Sequence, residues 1–334
     1  MRRELRPRRG LSFVLSLAAA AALTCAGTPV PAQQPEGTQA VAPAQGSPKS
    51  LSVKGSPEAL AFDGENLWVA CKTDDAVRKI RAADGVELGK YEVGRRPVAL
   101  AYDGASVWVA HLQDDSVMKL RASDGARLAT VAVGGQPTGL LFDGENVWAV
   151  NSRGNTVTKV RARDAAKLGT YRVGRHPMGL AFDGENVWVT NNDDDSVTKL
   201  RAADGEVLGT FEADDSPVGI AFDGESLWVA NFYKGSMTRL RPDDGYVLEK
   251  YPVEDGPTAV TYAAGYVWVI NYGSRNISKI NPREGAVVGT LTAGGKPSAV
   301  AFDGRNVWAA VSDKDSVERI ERFKRSPPAK PPSD

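Results

Sequence analysis

Between residues 177 and 213 short apolar runs alternate with polar punctuation. PMGLAF is followed by Asp183-Gly184, NVWVTN by a polar NDDD, SVTKLR by Asp204-Gly205, and VLGTFEA closes the segment. Runs of about five or six residues, dense in β-branched and aromatic side chains, predict strands. The Asp-Gly pairs supply the left-handed backbone that tight hairpins need. No segment carries the apolar stripe of a helix. Four strands in about 40 residues make one blade of a β-propeller.

The same pattern recurs without insertion or deletion. Trp68, Trp108, Trp148, Trp188, Trp228, Trp268 and Trp308 stand 40 residues apart. Pro57, Pro97, Pro137, Pro177, Pro217, Pro257 and Pro297 keep the same step, as do Lys79, Lys119, Lys159, Lys199, Arg239, Lys279 and Arg319. Seven units predict a closed seven-bladed, all-β propeller over residues 49–321. The last unit lacks a fourth strand, because SPPAKPPS at 326–333 has four prolines, which remove backbone donors. KSLSV at 49–53 falls in the phase of KYEV at 90–93 and TYRV at 170–173. The N-terminal strand is therefore expected to cross the seam and complete blade seven, hiding two sheet edges.

Composition changes the picture mainly at the ends. Residues 1–32 hold five arginines and a run of apolar residues from Leu11 to Leu23, too short to span a bilayer but suited to a secretory signal. Val30-Pro31-Ala32 offers a cleavage site, so the expected location is periplasmic or secreted. Cys25 gives lipoprotein anchoring as a minor alternative. Residues 33–48 read as a disordered linker and 322–334 as a disordered tail. Arginine and lysine total 41, as do aspartate and glutamate; removing the five basic residues and one acid of 1–32 leaves 36 against 40. A mildly acidic body argues against nucleic acid as a partner. No later apolar stretch is long enough to cross a membrane. With Cys25 removed, Cys71 stands alone, so the fold needs an extensive core rather than disulfides. A monomer is expected.

VWVTN at 187–191, LWVAN at 227–231 and VWVIN at 267–271, with the S-V-T-K-L strand and the V-G-x-x-P link, resemble the YVTN-type propeller repeats. The pattern is also similar to the virginiamycin B (streptogramin) lyases. The resemblance implies an extracytoplasmic seven-bladed fold with a binding role. Its lyase side implies a catalytic histidine just after the inter-blade proline, with an acid and a metal nearby. The residues there are Glu58, Val98, Thr138, Met178, Val218, Thr258 and Ser298, none of them histidine. His176 precedes Pro177 instead.

What every blade repeats reads as architecture, and what one blade alone carries is a candidate for function. The tryptophans read as wedges between blades. The basic column is expected to pair with Asp84, Asp124, Asp164, Asp204, Asp244 and Glu284 as surface ion pairs. Asn151, Asn191, Asn231 and Asn271 either cap the adjoining turn or ring the tunnel mouth with amides; turn chemistry favours the former. The links between blades and the loops between second and third strands emerge on one face, where propellers place binding sites. Ligand-binding candidates there are Arg95, Arg96, Arg175, His176, Asn191, Phe232, Tyr233, Tyr272 and Arg275. The expected ligand is a protein, peptide or cell-envelope component. No catalytic residue and no cofactor is assigned. A divalent cation held by Asp193, Asp194, Asp214 and Asp215 is the weaker alternative, since hard cations take oxygen ligands; an acidic run is more often simply solvated. The competing function is a lyase- or lactonase-like propeller enzyme using His176 and a divalent metal.

Overall fold

The computed structural model describes residues 49–322 together with Leu17 and Ala18. The expected signal, linker and tail therefore lie outside the described residues, apart from Leu17, Ala18 and Arg322. Leu17–Ala18 is a two-residue strand whose backbone pairs parallel with Gly139 and Leu140.

Seven antiparallel four-stranded sheets stand in a ring. Blade four shows the pattern, with an inner strand Pro177–Phe182, then Asn186–Asn191, Ser196–Arg201 and an outer strand Val207–Glu212. The inner strands of the others start at Pro57, Pro97, Pro137, Pro217, Pro257 and Pro297. Burial follows the pattern of the runs. The first two strands of blade four are buried along nearly their whole length, while the outer strand alternates exposed and half-buried positions. A strand covered on both faces by neighbouring blades can be apolar throughout; an edge strand cannot.

The seam closes as the repeat phase predicts. Ser50–Ser52 lies antiparallel to the third strand of blade seven, with Leu51 opposite Val317. Val53 N–H donates to the Asp315 carbonyl at 2.7 Å and Arg319 N–H to the Lys49 carbonyl at 2.8 Å. Leu51 and Val53 are both buried.

All seven tryptophans are fully buried. Trp108 packs with Leu140, Val147 and Ala149 of blade three, which makes it an inter-blade wedge. Each indole is also tied polarly. In blade two, Trp108 Nε1 donates to Asp103 Oδ2 at 2.8 Å, while Asp103 Oδ1 accepts from Ala105 and Ser106 N–H. The same aspartate recurs as Asp63, Asp143, Asp183, Asp223 and Asp303. The Asp-Gly hairpin thus supplies a carboxylate for the core as well as turn geometry.

The basic column differs from expectation. Lys119 does not reach the Asp124 column; its Nζ lies 5.4 Å from the Trp108 ring centroid, 3.8 Å from Asp103 and 2.5 Å from the Ala162 carbonyl of blade three. Lys79 and Lys159 make the same inter-blade bond. A buried ammonium needs acceptors and a counter-charge, and both lie inward here. The outer acids instead pair three residues back, as Arg81–Asp84, Arg121–Asp124, Arg161–Asp164, Arg201–Asp204 and Arg241–Asp244. Blade six departs from the rule. Ala263 replaces the aspartate, Trp268 Nε1 donates to the Ala263 carbonyl at 3.1 Å, and Lys279 pairs with Glu321 of blade seven.

Candidate functional site

The links and the loops between second and third strands share one face, and two repeated braces hold them together. In the first, a loop residue with left-handed backbone turns its side-chain oxygen onto a link N–H. Asp75, Asp115, Asn155, Asp195 and Asp315 have φ between 48° and 53°. They accept from Arg96, Gln136, His176, Ser216 and Ser56 respectively, at 2.7–2.9 Å. Aspartate and asparagine tolerate this backbone because their short side chains bond locally. In the second brace, Asp114, Asp194 and Asp313 each accept the N–H of a link residue, Arg95, Arg175 or Lys296, at 2.6 Å.

These braces reassign several sequence candidates. Arg95 Nε bonds Asp114 Oδ1 at 2.6 Å and Arg175 Nε bonds Asp194 Oδ1 at 2.5 Å, so both arginines staple link to loop while staying largely exposed. The Arg95 N–H and guanidinium hold the Asp114 carboxyl below its usual range. At Asp194 partial burial works to raise the carboxyl, but the same two Arg175 contacts outweigh it and the net shift is downward. The acidic loop of blade four is therefore fastened, not merely solvated. Arg96 uses its backbone in the first brace and is half-buried. His176, at φ 50°, is half-exposed, with Nδ1 3.7 Å from Asp193 Oδ1.

Asn191 lies off the surface. It is fully buried, accepts from Gly174 N–H at 3.0 Å, and donates to Ser196 and Thr198 hydroxyls at 3.1 and 2.8 Å. Asn151 and Asn231 repeat the arrangement. These buried amides tie the link to the third strand of the blade, beneath the loop surface. His111 takes the same position in blade two with Nδ1 3.1 Å from the Ser116 hydroxyl, and Cys71 takes it in blade one, its thiol pushed up to about 11 by burial.

The four candidate cation ligands do not converge. Asp194 is committed to Arg175, and Asp214 lies 3.3 Å from Lys250. Among the described residues no three His, Cys, Asp or Glu side chains group as a metal site. Of the aromatic candidates, Phe232 and Tyr233 are in contact. Phe232 packs on Met178 and Val218, and Tyr233 stands edge-on to it at 5.2 Å and is 66% exposed. Tyr272 lies under Lys296, 5.1 Å from its ammonium, and Arg275 is exposed at φ 57°. Among the described residues no helix is long and apolar enough to cross a membrane.

Sequence reasoning missed the braces. Their signal was present, since Asp75, Asp115, Asn155, Asp195 and Asp315 share one phase of the 40-residue repeat. An acidic loop taken blade by blade hides that column.

The described chain is thus a seven-bladed β-propeller with a braced loop face. Neither a family model nor a curated protein sequence matches it. Solved structures do. A catalytically inactive virginiamycin B lyase variant from Staphylococcus aureus, solved with quinupristin, aligns with TM-score 0.72 at 17% identity, covering 82% of this chain and 98% of that one. A streptogramin B lyase aligns at 0.70 with 18% identity, covering 82% and 96%. Hydrazine synthase of Kuenenia stuttgartiensis aligns at 0.72 with 17% identity, covering 87% and 99%. At such identities the likeness is one of fold.

Proposed function

We propose that this chain is an exported binding or scaffolding module that recognises a protein, peptide or cell-envelope ligand through its loop face. One observation carries the reading. The repeated polar residues of the cores, Asp, Trp, Lys and Asn, are consumed inside the ring, whereas the loop face carries residues that differ from blade to blade. There Tyr233 stands 66% exposed, and large exposed aromatics are favoured anchors in interfaces. The test compares partners recovered from periplasm by the full chain and by an Arg96→Glu/Tyr233→Ala variant. Loss of specific partners by the variant is expected. Equal recovery by both rejects the loop face.

The second reading, a lyase- or lactonase-like enzyme with a divalent metal, is favoured by His176 beside Asp193 and by lyases among the structural neighbours. It requires turnover that EDTA abolishes and that His176→Ala loses while Tyr233→Ala keeps it. Turnover retained by His176→Ala removes it.

A further inference from the structure

At the junction between blades five and six the first brace is lost, while Ser274 takes the place of the second. The bracing aspartate is replaced by Gly235, at φ 56°, and the link residue before Pro257 is Gly256, at φ 63°. Gly256 is buried, and an added Cβ would lie 3.0 Å from the Gly273 nitrogen and 3.3 Å from Phe232 Cε2, so the chain is closely packed here. An added Cβ on Gly273 would fall 2.5 Å from Asp255 Oδ2. Two bare glycines, the Phe232 ring and the Asp255 carboxylate thus meet at one point.

Phe232 is wedged over Met178 and Val218, and the exposed Tyr233 ring extends the apolar wall outward. On the link, Glu254 and Asp255 are both exposed. Ser274 ties them to the neighbouring loop: its hydroxyl receives the Asp255 N–H at 2.9 Å and lies 3.5 Å from Glu254 Oε2. Neither carboxylate has an ion-pair partner among the described residues. The nearby cations are otherwise engaged or make no pair with them: Lys250 is on Asp214, Lys296 is over Tyr272, and Lys234 and Arg275 form no ion pair with either acid.

An exposed aromatic edge beside two exposed carboxylates that make no ion pair among the described residues fits a long side chain with an apolar stem and a cationic head. We infer that this patch of the loop face receives an arginine or lysine side chain of a partner polypeptide, its stem lying along Tyr233 and the exposed edge of Phe232 and its cation at Glu254 and Asp255. The proposal rests on the loop-face reading and specifies the chemistry of its ligand. The head group brings the opposite charge to the rim, and the stem covers the exposed part of Tyr233. A neutral chain of the same length would leave both acids unpaired.

The test titrates the full chain with three short acetylated, amidated glycine-rich peptides that differ only in carrying arginine, lysine or norleucine, followed by calorimetry and by the tyrosine ring signals in NMR. Saturable binding of the arginine and lysine peptides is expected, weakened by salt, with the norleucine peptide at least about tenfold weaker. Glu254→Gln/Asp255→Asn should lose about tenfold for the cationic peptides while melting like the parent, and Tyr233→Ala should weaken all three. Equal affinity for norleucine, or an unchanged affinity in the double variant, overturns the proposal. So does the lack of saturation at millimolar peptide. If the cationic peptides fail while the Arg96→Glu/Tyr233→Ala variant still loses its periplasmic partners, this patch falls as a cation site and the loop-face reading stands. If they bind and recovery is unchanged, the loop-face reading falls, and with it the assignment of this patch to a partner.

Discussion

Asp103→Ala tests how much of the ring depends on its repeated carboxylate. Asp103 is nearly buried, with its side chain 5% exposed. It accepts from Ser106 N–H at 2.6 Å and from Trp108 Nε1 at 2.8 Å, and it stands 3.8 Å from the Lys119 ammonium. Truncation leaves two part-buried donors without a charged acceptor, each costing about 1.5–3 kcal/mol, so a total of roughly 3–6 kcal/mol is expected. Lys119 keeps the Ala162 carbonyl but loses its counter-charge, which adds in the same direction. For a domain of this size that corresponds to a fall in melting midpoint of the order of 10 °C. The assay is denaturant and thermal unfolding followed by tryptophan fluorescence. Asp103→Asn, which keeps one acceptor oxygen, should lie between parent and Asp103→Ala. Ala263→Asp is the control, because the Trp268 N–H already has a backbone acceptor and little gain is expected. If Asp103→Ala unfolds within about 0.5 kcal/mol of the parent, the carboxylate is not what anchors the wedge.

His111 is buried and its pKa is pushed down to about 4, mainly by desolvation, with Asp114 and Asp75 opposing and Arg127 adding to the shift. The folded state therefore favours the neutral ring; its contribution is intact above about pH 6.5 and is lost as pH falls toward 4, to a limit of about 3 kcal/mol. Melting curves across that window should show the loss, and His111→Asn should flatten it. Gly219→Ala places a methyl 2.3 Å from the Thr258 carbonyl and should cost about 1–3 kcal/mol, whereas Gly289→Ala, with open space around it, should not destabilise; denaturant midpoints decide both. Deleting residues 49–53 strips the partner strand from Val317 and removes buried Leu51 and Val53, so the truncated protein should melt earlier and less cooperatively. A melt identical to that of the full chain would mean the ring closes without the seam.

Much of this fold is legible in one dimension because the repeat has no gaps. Trp at a 40-residue step sets the blade number, and KSLSV in phase with KYEV places the seam. The candidate face was legible too, since links and loops vary where strands do not. The partners of individual charges were not. Lys119 and Asp124 are near in sequence and opposite in sign, yet Lys119 turns inward to Trp108 and to a carbonyl 43 residues on, in the next blade. Arg95 read as a ligand-binding candidate and is stapled to Asp114. Asn191 read as a surface candidate and is buried.

The sequence by itself determined the periodic quantities: seven blades, four strands in each, and the join at the ends. These follow from local propensity and spacing, which one chain records completely. Only the tertiary structure decided which charges meet, because ring closure brings together residues of adjacent blades whose distance along the chain says nothing of their direction in space. The same closure set Glu254 and Asp255, which make no ion pair among the described residues, at the junction where Gly235 and Gly256 replace the first brace.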